Sequence, residues 1–352
     1  MQACLDANIS YSLPAEWTPQ SAVMLTWPHR DTIWANSLPA IDDVFVAVAR
    51  EIALREKVVI TCVDKAHEQH VKTLLHSAGV ASHQVAIYLA HSNDIWVRDH
   101  GPIAVNKPQL TLLDFTFNAW GNKYPSESDN QITSLLHAQQ AFGATPRMKV
   151  DLVLEGGGIE VDGQGCLLTT SHCLLSKTRN PHLSKTQITT TLSQWLGIKK
   201  IHWLDHGYLA GDDTDSHIDT LARFTDAHTI VYTACDDSSD EHFSELQAMQ
   251  EQLRSFTDYR NQPYQLIPLP WPKPHYADVD GRRLPASYCN FLIINGAVLV
   301  PTYNDPADAE ALRILAACFK DRQIIGIDCV PVIQWYGSLH CMTMQLPQGV
   351  VL

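Results

Sequence analysis

The sequence predicts an α/β fold made of five similar units arranged around a common centre. Short strand-like runs alternate with amphipathic helical stretches along the whole chain, which is typical of α/β proteins. Five polar residues also recur at intervals of 56, 62, 73 and 51 residues, each at or near the start of an apolar run: Asp99, Glu155, His217, Asn290 and Cys341. Such a recurrence favours closed radial repetition over an open doubly wound sheet, in a single domain over residues 1–352.

The predicted helices follow from apolar residues spaced three or four positions apart. In residues 40–55, Ile41, Val44, Val48 and Ile52 fall on one face of a helix. Equivalent patterns predict further helices over 67–78, 127–142, 185–196, 240–256 and 306–319.

The predicted strands are short β-rich runs bounded by turn residues. They are Val58–Val63, Gln84–Leu89, Pro102–Val105, Leu110–Phe117, Ile159–Val161, Cys166–Thr170, Thr220–Phe224, Thr229–Thr233, Phe291–Ile294 and Ala297–Pro301. Two stretches, Ile159–Leu168 and Leu292–Leu299, are predicted hairpins. The second turns at Asn295-Gly296, a pair typical of a type I′ turn. No GxGxxG or Walker A motif is present, so nucleotide binding has no support.

The composition is acidic and globular. The 352 residues carry a formal net charge of −13 and are 45% hydrophobic, which is enough apolar material for a sizeable core. The charge argues against nucleic acid as a partner, because phosphates are bound by basic patches. No window reaches the ~18 consecutive apolar residues of a membrane span, and residues 1–7 lack the features of a signal peptide. The nine cysteines lack CxxC spacing and indicate buried, unpaired residues of a cytoplasmic protein.

The first candidate segment is Asn93–Pro102, which combines acidic, basic and aromatic residues just before a strand. Asp99 follows Trp96 by three positions, and a carboxylate beside an aromatic wall suits a flat cation. The alternative is a polar turn in which Arg98 pairs with an acid.

The second candidate is Glu155, which three glycines follow. The glycines allow the backbone to approach another group closely. The alternative is a glycine-rich turn with a solvated glutamate. A phosphate loop is excluded because neither a lysine nor a helix follows.

The third candidate is Gly211–Asp219, in which alternation places His217 and Asp219 on the same face of an emerging strand. This pair can act as a general acid–base, form a structural hydrogen bond or bind a metal with the other acids of the segment. Against a metal, no second histidine falls at an HxxxH spacing, and the segment lacks the central glycine and distal glutamate of an EF-hand loop.

Asn290 and Cys341 complete the set. Asn290 enters a buried strand, where a residue that caps a turn is the alternative. Cys341 follows the Gly337-Ser338 turn, which can provide exposure. A nucleophilic cysteine needs a base within reach, and His217 can supply one from elsewhere in the fold. Otherwise Cys341 is a small buried hydrophobe.

Taken together, these residues resemble the guanidine-modifying superfamily, whose fold is the five-bladed pentein α/β-propeller. More narrowly, the chain resembles agmatine deiminases and the bacterial peptidyl-arginine deiminase family that contains them. The resemblance covers nearly the whole chain and rests on motifs in family order: Leu13–Trp17, Leu25–Pro28, Asp94–Pro102, Phe117–Gly121, Glu155–Gly157, Asn180–Ser184, Asp213–Asp219 and His340–Cys341.

The resemblance implies a role for each catalytic candidate. Cys341 is expected to be the nucleophile, and His217 the general acid–base that Glu155 orients. Asp99 and Asp219 are expected to hold the guanidinium by bidentate, charge-assisted hydrogen bonds.

The same resemblance implies three further substrate-binding residues. Trp96 is expected to form part of the wall, and Asn290 to support the site. Asp213, with the neighbouring acids of its turn, is a candidate for receiving a terminal ammonium, although a solvated turn acid is an equal alternative.

The implied reaction is hydrolysis of agmatine to N-carbamoylputrescine and ammonia through an S-alkylthiouronium on Cys341, with no metal or organic cofactor. The alternatives are the same chemistry on arginine or peptidyl arginine, a pentein that only binds, and a metal-dependent hydrolase. The substrate stays open because residues 336–339 differ from the glycine-rich run usual in agmatine deiminases. The resemblance also implies a possible homodimer.

Overall fold

The computed structural model describes residues 11–106 and 108–350, so residues 1–7, with their predicted lack of a signal peptide, lie outside it. Its strands form five separate sheets. In chain order they are β1 (Gln20–Thr26), β2 (Lys57–Cys62), β3 (Val85–Leu89), β4 (Ile103–Val105), β5 (Thr111–Thr116), β6 (Arg147–Val153), β7 (Ile159–Val161), β8 (Cys166–Thr170), β9 (Lys200–Leu204), β10 (Ala222–Asp226), β11 (Thr229–Thr233), β12 (Gln265–Leu269), β13 (Leu292–Ile294), β14 (Ala297–Thr302), β15 (Gln323–Asp328) and β16 (Met344–Pro347).

Four of the sheets repeat one three-stranded pattern. In β4-β5-β6, β7-β8-β9, β10-β11-β12 and β13-β14-β15, an antiparallel hairpin is followed by a third strand parallel to the second. The fifth sheet, β16-β1-β2-β3, joins the two ends of the described chain, because β16 pairs antiparallel with β1. Five sheets of this kind match the five units predicted from the sequence.

The helices lie between the strands and cover the sheets. They are α1 (Leu38–Ala53), α2 (Lys65–Ser77), α3 (Val97–His100), α4 (Ala119–Asn122), α5 (Ile132–Ala138), α6 (Ser171–Leu174), α7 (Lys185–Leu196), α8 (Phe243–Arg254), α9 (Asp308–Cys318) and α10 (Val330–Ile333). The six predicted helices are all present. That predicted over 127–142 is shorter, because a 3₁₀ turn at Asp129–Gln131 precedes α5. In the described part of the chain, no helix is long and apolar enough to span a membrane.

Both predicted hairpins are present, but one turn differs from the prediction. Gly296 has a φ of 72°, whereas the φ of Asn295 is not positive, so the turn is not type I′. The side chain of Asn295 explains this choice, since it bonds both the N–H and the C=O of Gln20 at 3.1 and 2.9 Å.

Six strands were not predicted from the sequence; β1 and β16 among them are mostly buried, whereas the other four share a physical cause. β6, β9, β12 and β15 are the outer strands of their sheets, and several of their residues are exposed or half-buried. A half-exposed edge strand has neither a continuous apolar run nor a strict alternation, so its sequence signal is weak.

The hairpins place the five recurring polar residues. Each residue lies just before the first strand of a different sheet, with Asp99 before β4, Glu155 before β7, His217 before β10, Asn290 before β13 and Cys341 before β16. All five side chains are buried, from 0% exposed at Glu155, His217 and Asn290 to 5% at Cys341. The fold therefore delivers one buried polar side chain per sheet.

Candidate active site

Cys341 lies against two of the predicted site residues. Its Sγ is 3.7 Å from Asp219 Oδ2 and 3.4 Å from Asn290 Oδ1. Asn290 Oδ1 also accepts the backbone N–H of Cys341, which fixes the start of the segment. Burial, followed by the charges of Asp219 and Asp99, holds the pKa of the Cys341 thiol well above its usual range. Without a bound cation, Cys341 is therefore a thiol at neutral pH.

Asp99 is the second carboxylate of the site. Its Oδ2 accepts the indole N–H of Trp120 at 2.9 Å, and its Oδ1 accepts the N–H of Gly157 at 3.0 Å. Burial is the largest influence on this carboxyl and raises its pKa to about 6, against the opposing charge of His217.

Trp120 reaches Asp99 from an unusual backbone. Ala119, Trp120 and Asn122 have φ values of 48°, 54° and 64°, and Gly121 between them has 93°. Left-handed backbone at three residues other than glycine is costly and persists where the surrounding structure enforces it. Here the strained turn places an indole N–H on a buried carboxylate.

His217 is fully buried, and its Nδ1 is 3.7 Å from Asp99 Oδ1. Burial alone lowers the pKa of His217, but the negative groups around it, Asp99 first, outweigh burial and raise that pKa to about 10. At neutral pH the ring is therefore an imidazolium. Among the described residues neither ring nitrogen has a hydrogen-bond partner, so both remain available.

Gly157 explains why the glycine run is needed. A Cβ on Gly157 would lie 2.6 Å from His217 Nδ1, 2.9 Å from Asp99 Oδ1 and 3.1 Å from Asp219 Oδ2. The backbone thus passes between all three charged side chains. No other residue type fits this position.

Glu155 is held by an arginine that the sequence analysis did not name. Arg179 Nε lies 2.9 and 3.0 Å from the two oxygens of Glu155. Glu155, Cys173 and His217 have potential ligand atoms within 4.8 Å of one another, which is compatible with a metal centre. Because the Arg179 guanidinium already binds the carboxylate, the group fits an ion-paired acid–base better than a metal ligand set.

A cavity of about 630 Å³ opens above Cys341. Four of the predicted site residues line it, namely Cys341, Asp99, Trp96 and Asp213. The other four, Glu155, His217, Asp219 and Asn290, are buried behind this wall. Within the described parts of the chain, the lining contains five aspartates and several aromatic rings but no lysine or arginine. This environment favours a cation with an apolar body.

Trp96 forms a rigid part of the wall. Its ring packs on Trp34 with a centroid distance of 5.9 Å, and Trp34 donates its indole N–H to Asp94. Gly337 also packs against Trp96, and a Cβ added to Gly337 would lie 2.3 Å from the ring. Residues 336–339 thus differ from the glycine-rich run usual in agmatine deiminases but retain a glycine where the segment contacts Trp96.

The acids around His217 divide into different roles. Asp213 lines the cavity, where it accepts the phenol O–H of Tyr124 and pairs with Lys123 at 3.1 Å. Asp212 instead accepts N–H groups of its own turn, including that of Ser216. Asp215 pairs with Arg179 and Lys123. Of the three acids, only Asp213 is placed to meet a ligand.

Three contacts of the site had no assigned role in the sequence analysis. Trp120, Arg179 and Cys173 touch or neighbour Asp99, Glu155 and His217. Trp120 belongs to the Phe117–Gly121 motif, and Arg179 directly precedes Asn180–Ser184, so position in these motifs was the available signal.

A profile of the Porphyromonas-type peptidyl-arginine deiminase family matches residues 12–347. The chain belongs to this family. It is 32% identical to the agmatine deiminase of Ectopseudomonas mendocina (strain ymp) over 96% of this chain and 95% of that protein. It is also 32% identical to the agmatine deiminase of Medicago truncatula over 96% of both chains.

Solved structures of the family share the fold. A cysteine-to-serine variant of C. jejuni agmatine deiminase with substrate bound is 37% identical, with a TM-score of 0.89 over 98% of this chain and 99% of that one. A Porphyromonas gingivalis protein whose arginine deiminase activity is a provisional assignment is 45% identical, with a TM-score of 0.90 over 97% and 100%. These likenesses confirm the predicted five-unit α/β fold and the predicted family.

Proposed function

We propose that this protein is an agmatine deiminase that hydrolyses the guanidinium of agmatine to N-carbamoylputrescine and ammonia. One observation carries the proposal: Cys341 opens into an acidic, aromatic cavity and lies beside Asp219, with Asp99 on the same wall. The agmatine deiminase relatives support the choice of substrate.

Asp99 and Asp219 hold the guanidinium in this proposal. Asp219 Oδ1 is buried and has no hydrogen-bond partner among the described residues, so it is free to accept from a substrate N–H. Two carboxylates around a planar cation form charge-assisted hydrogen bonds that fix its plane. Trp96 covers the cation on the cavity wall, and Asn290 holds the Cys341 backbone.

Binding of the substrate activates Cys341. The thiol pKa is high partly because two carboxylates surround it, and the guanidinium neutralises both. Cys341 therefore ionises in the complex. Its proton leaves to solvent, because the His217 imidazolium already holds its own proton.

The thiolate then attacks the guanidinium carbon and forms a carbon–sulfur bond, which gives a neutral tetrahedral adduct. His217 donates its proton to one amino group, and the carbon–nitrogen bond breaks to release ammonia. The product of this half-reaction is a cationic S-alkylthiouronium on Cys341. Glu155 and Asp99 stabilise the His217 charge before the transfer.

Water completes the cycle. Neutral His217 takes a proton from water as the oxygen attacks the thiouronium carbon. Collapse of this second adduct breaks the carbon–sulfur bond and expels the Cys341 thiolate. The hydroxyl group then loses its proton to ammonia, which leaves the ureido product and ammonium. The imidazolium is restored, and no metal or organic cofactor is required.

Asp213 is proposed to bind the terminal ammonium of agmatine. It lies on the cavity wall, and Tyr124 and Lys123 hold its carboxylate in place. The matched test uses butylguanidine, which has the aliphatic arm but no ammonium. Asp213→Asn should lower kcat/KM for agmatine and leave that for butylguanidine unchanged, and equal losses on both compounds would contradict the assignment.

The alternative substrate is arginine, free or in a peptide, which the 45% identity to the Porphyromonas gingivalis chain favours. The α-carboxylate of arginine would lie in a cavity whose described lining contains no lysine or arginine to bind it. We therefore expect agmatine to be preferred. Ammonia release from agmatine, arginine and an internal-arginine peptide decides, and a higher kcat/KM for either arginine compound would replace agmatine as the substrate.

We also propose a single-domain cytoplasmic protein that forms a homodimer. Eight cysteines of the described chain are free, which suits a reducing compartment. Multi-angle light scattering tests the dimer, and a monomeric mass would refute it.

A further inference from the structure

His340, the residue before Cys341, lies between two buried carboxylates. Its Nδ1 is 2.8 Å from Asp219 Oδ2, and its Nε2 is 2.9 Å from Glu16 Oε2. His340 is 1% exposed, Asp219 0% and Glu16 7%, so no bulk water shares these contacts. Both distances are those of full hydrogen bonds.

The two contacts determine how many protons His340 and its two carboxylate partners carry together. An ionised carboxylate only accepts hydrogen bonds, while a neutral imidazole has one N–H donor and one acceptor nitrogen. A neutral His340 between two ionised carboxylates would therefore point a nitrogen lone pair at a carboxylate oxygen. Two full hydrogen bonds require a proton on each ring nitrogen, or a proton on one of the acids.

The surroundings keep both acids ionised. Burial raises the pKa of Glu16, but Arg223 and His340 outweigh burial and hold that pKa far below its usual range. Asp219 is also buried, yet His340 and, independently of it, the charges of His217 and Arg223 lower the pKa of this carboxyl. Arg223 donates to Glu16 Oε2 at 2.8 Å, and the backbone N–H of Ile293 donates to Oε1 at 2.7 Å.

Other charges act against a proton on His340. Burial, followed by Arg223 and Arg98, outweighs Glu16 and Asp219 and lowers the pKa of His340. The two short contacts point the other way, and we follow them because a neutral ring would turn a lone pair toward an ionised carboxylate at hydrogen-bond distance. Only the doubly protonated ring satisfies both carboxylates at once.

We propose that His340 is a positioning residue, an imidazolium that binds Oδ2 of Asp219 and so turns the free Oδ1 toward the substrate guanidinium. Asn290 Oδ1 accepts the backbone N–H of His340 at 2.9 Å, and this bond fixes the backbone position from which the ring reaches Asp219. Glu16 fixes the far side of the ring. The kinetic consequences rest on the proposed function, whereas the protonation state does not.

The protonation state is measured without substrate. Protein labelled with ¹⁵N at histidine gives distinct nitrogen shifts for an imidazolium and for each neutral tautomer, and the His340 signals are those missing from His340→Gln. We expect protons on both nitrogens at pH 7. A neutral-tautomer pattern for His340 at that pH overturns the proposal whether or not the protein is a deiminase.

Kinetics tests the positioning role. In His340→Gln the side chain can donate to only one carboxylate, so we expect KM for agmatine to rise about 10- to 100-fold while kcat changes far less. His202→Gln is the matched control, because His202 is a buried histidine that bonds the Thr257 carbonyl away from the site. We expect its constants to match those of the parent. A KM within about twofold of the parent in His340→Gln overturns the role.

The link to Glu16 is tested by a double-mutant cycle. Glu16→Gln removes the second acceptor charge, so it should raise KM less than His340→Gln. The double variant should resemble His340→Gln alone, because both changes break one chain of hydrogen bonds. Additive losses would show independent effects and overturn the proposed chain. If His340→Gln does not fold, the His340 signals are identified as those that shift between the parent and the Glu16→Gln variant. Their nitrogen shifts in the parent then decide the protonation state.

Discussion

The two sides of Cys341 use buried carboxylates in opposite ways. On the cavity side, Asp94, Asp99 and Asp129 accept hydrogen bonds from indole or backbone N–H groups, without a lysine or arginine partner in the described chain. On the inner side, Glu16 and Glu160 both bind Arg223 at 2.8 Å. On the cavity side the cation near Asp99 is the His217 imidazolium, 3.7 Å away, whereas on the inner side one guanidinium binds both acids.

The pKa values follow this division for Glu16 but not for Glu160, because burial raises the pKa of Glu160 to about 7 despite the charge of Arg223. Burial raises the pKa of Asp94 and of Asp99 to about 6, although the hydrogen bonds that Asp94 accepts and the charge of His217 beside Asp99 oppose it. For Glu16, Arg223 and His340 reverse the effect of burial. A buried carboxylate without a partner cation costs stability, so we infer that the cavity side is kept for ligand binding and the inner side for structure.

The largest expected effect is the loss of the nucleophile. Cys341→Ala should lower kcat by about 10⁴-fold or more, because no other group can form the covalent intermediate. Cys318→Ala is the control, since Cys318 is a half-buried cysteine on α9, and it should keep the parent activity. Ammonia release measures both. An active Cys341→Ala variant would refute the mechanism.

A pair of variants separates the two sides directly. Asp99→Asn should lower kcat/KM by about 10²- to 10³-fold. Because burial raises the folded-state pKa of Asp99 to about 6, ionised Asp99 contributes little to stability at pH 7, and this variant should lose less stability than one that removes the inner cation. Arg223→Met should instead lower the free energy of unfolding by about 3–5 kcal/mol, because it removes the guanidinium shared by the buried Glu16 and Glu160.

Urea unfolding followed by circular dichroism measures the stability of both variants. The comparison fails if Asp99→Asn is the less stable of the two, or if Arg223→Met unfolds at the same urea concentration as the parent.

A smaller effect tests the strained turn that carries Trp120. Trp120→Phe keeps the ring but removes the N–H donor to Asp99 Oδ2, so kcat/KM should fall about 10- to 100-fold. The indole hydrogen bond also lowers the pKa of Asp99, so the acid limb of the pH profile should move to higher pH. A reduced activity with an unmoved acid limb would show that Trp120 acts only by packing.

The smallest expected change is the variation of kcat/KM with pH in the parent protein near neutral pH. Asp99 is active when ionised, so kcat/KM should fall about tenfold per pH unit below pH 6. His217 is active when protonated, so the same constant should fall as the pH rises through about 10. Steady-state rates over this range locate both limbs, and a maximum confined to acid pH would contradict these assignments.

The sequence predicted the fold through its strongest signals. Long amphipathic helices such as 185–196 and the hairpin strands Ile159–Val161 and Cys166–Thr170 match the structure residue for residue. The helix buries one face and the two strands are buried throughout, so their apolar patterns are clear. The outer strands are half exposed, and tertiary pairing rather than sequence pattern determines them.

The site was predictable only in part. The five recurring residues were visible because each stands before a strand. Arg179, His340 and the Trp120 turn were not, because their roles depend on contacts across 24, 121 and 21 residues. Spacing along the chain carries no information on such pairings.

The most direct test of the mechanism is the covalent intermediate on Cys341. Protein turning over agmatine is quenched in acid, digested and examined by mass spectrometry. We predict that the peptide with Cys341 gains the mass of agmatine less one ammonia, and that Asp99→Asn shows far less of this adduct. Full ammonia release with Cys341 unmodified, or an adduct on another cysteine, would contradict the account.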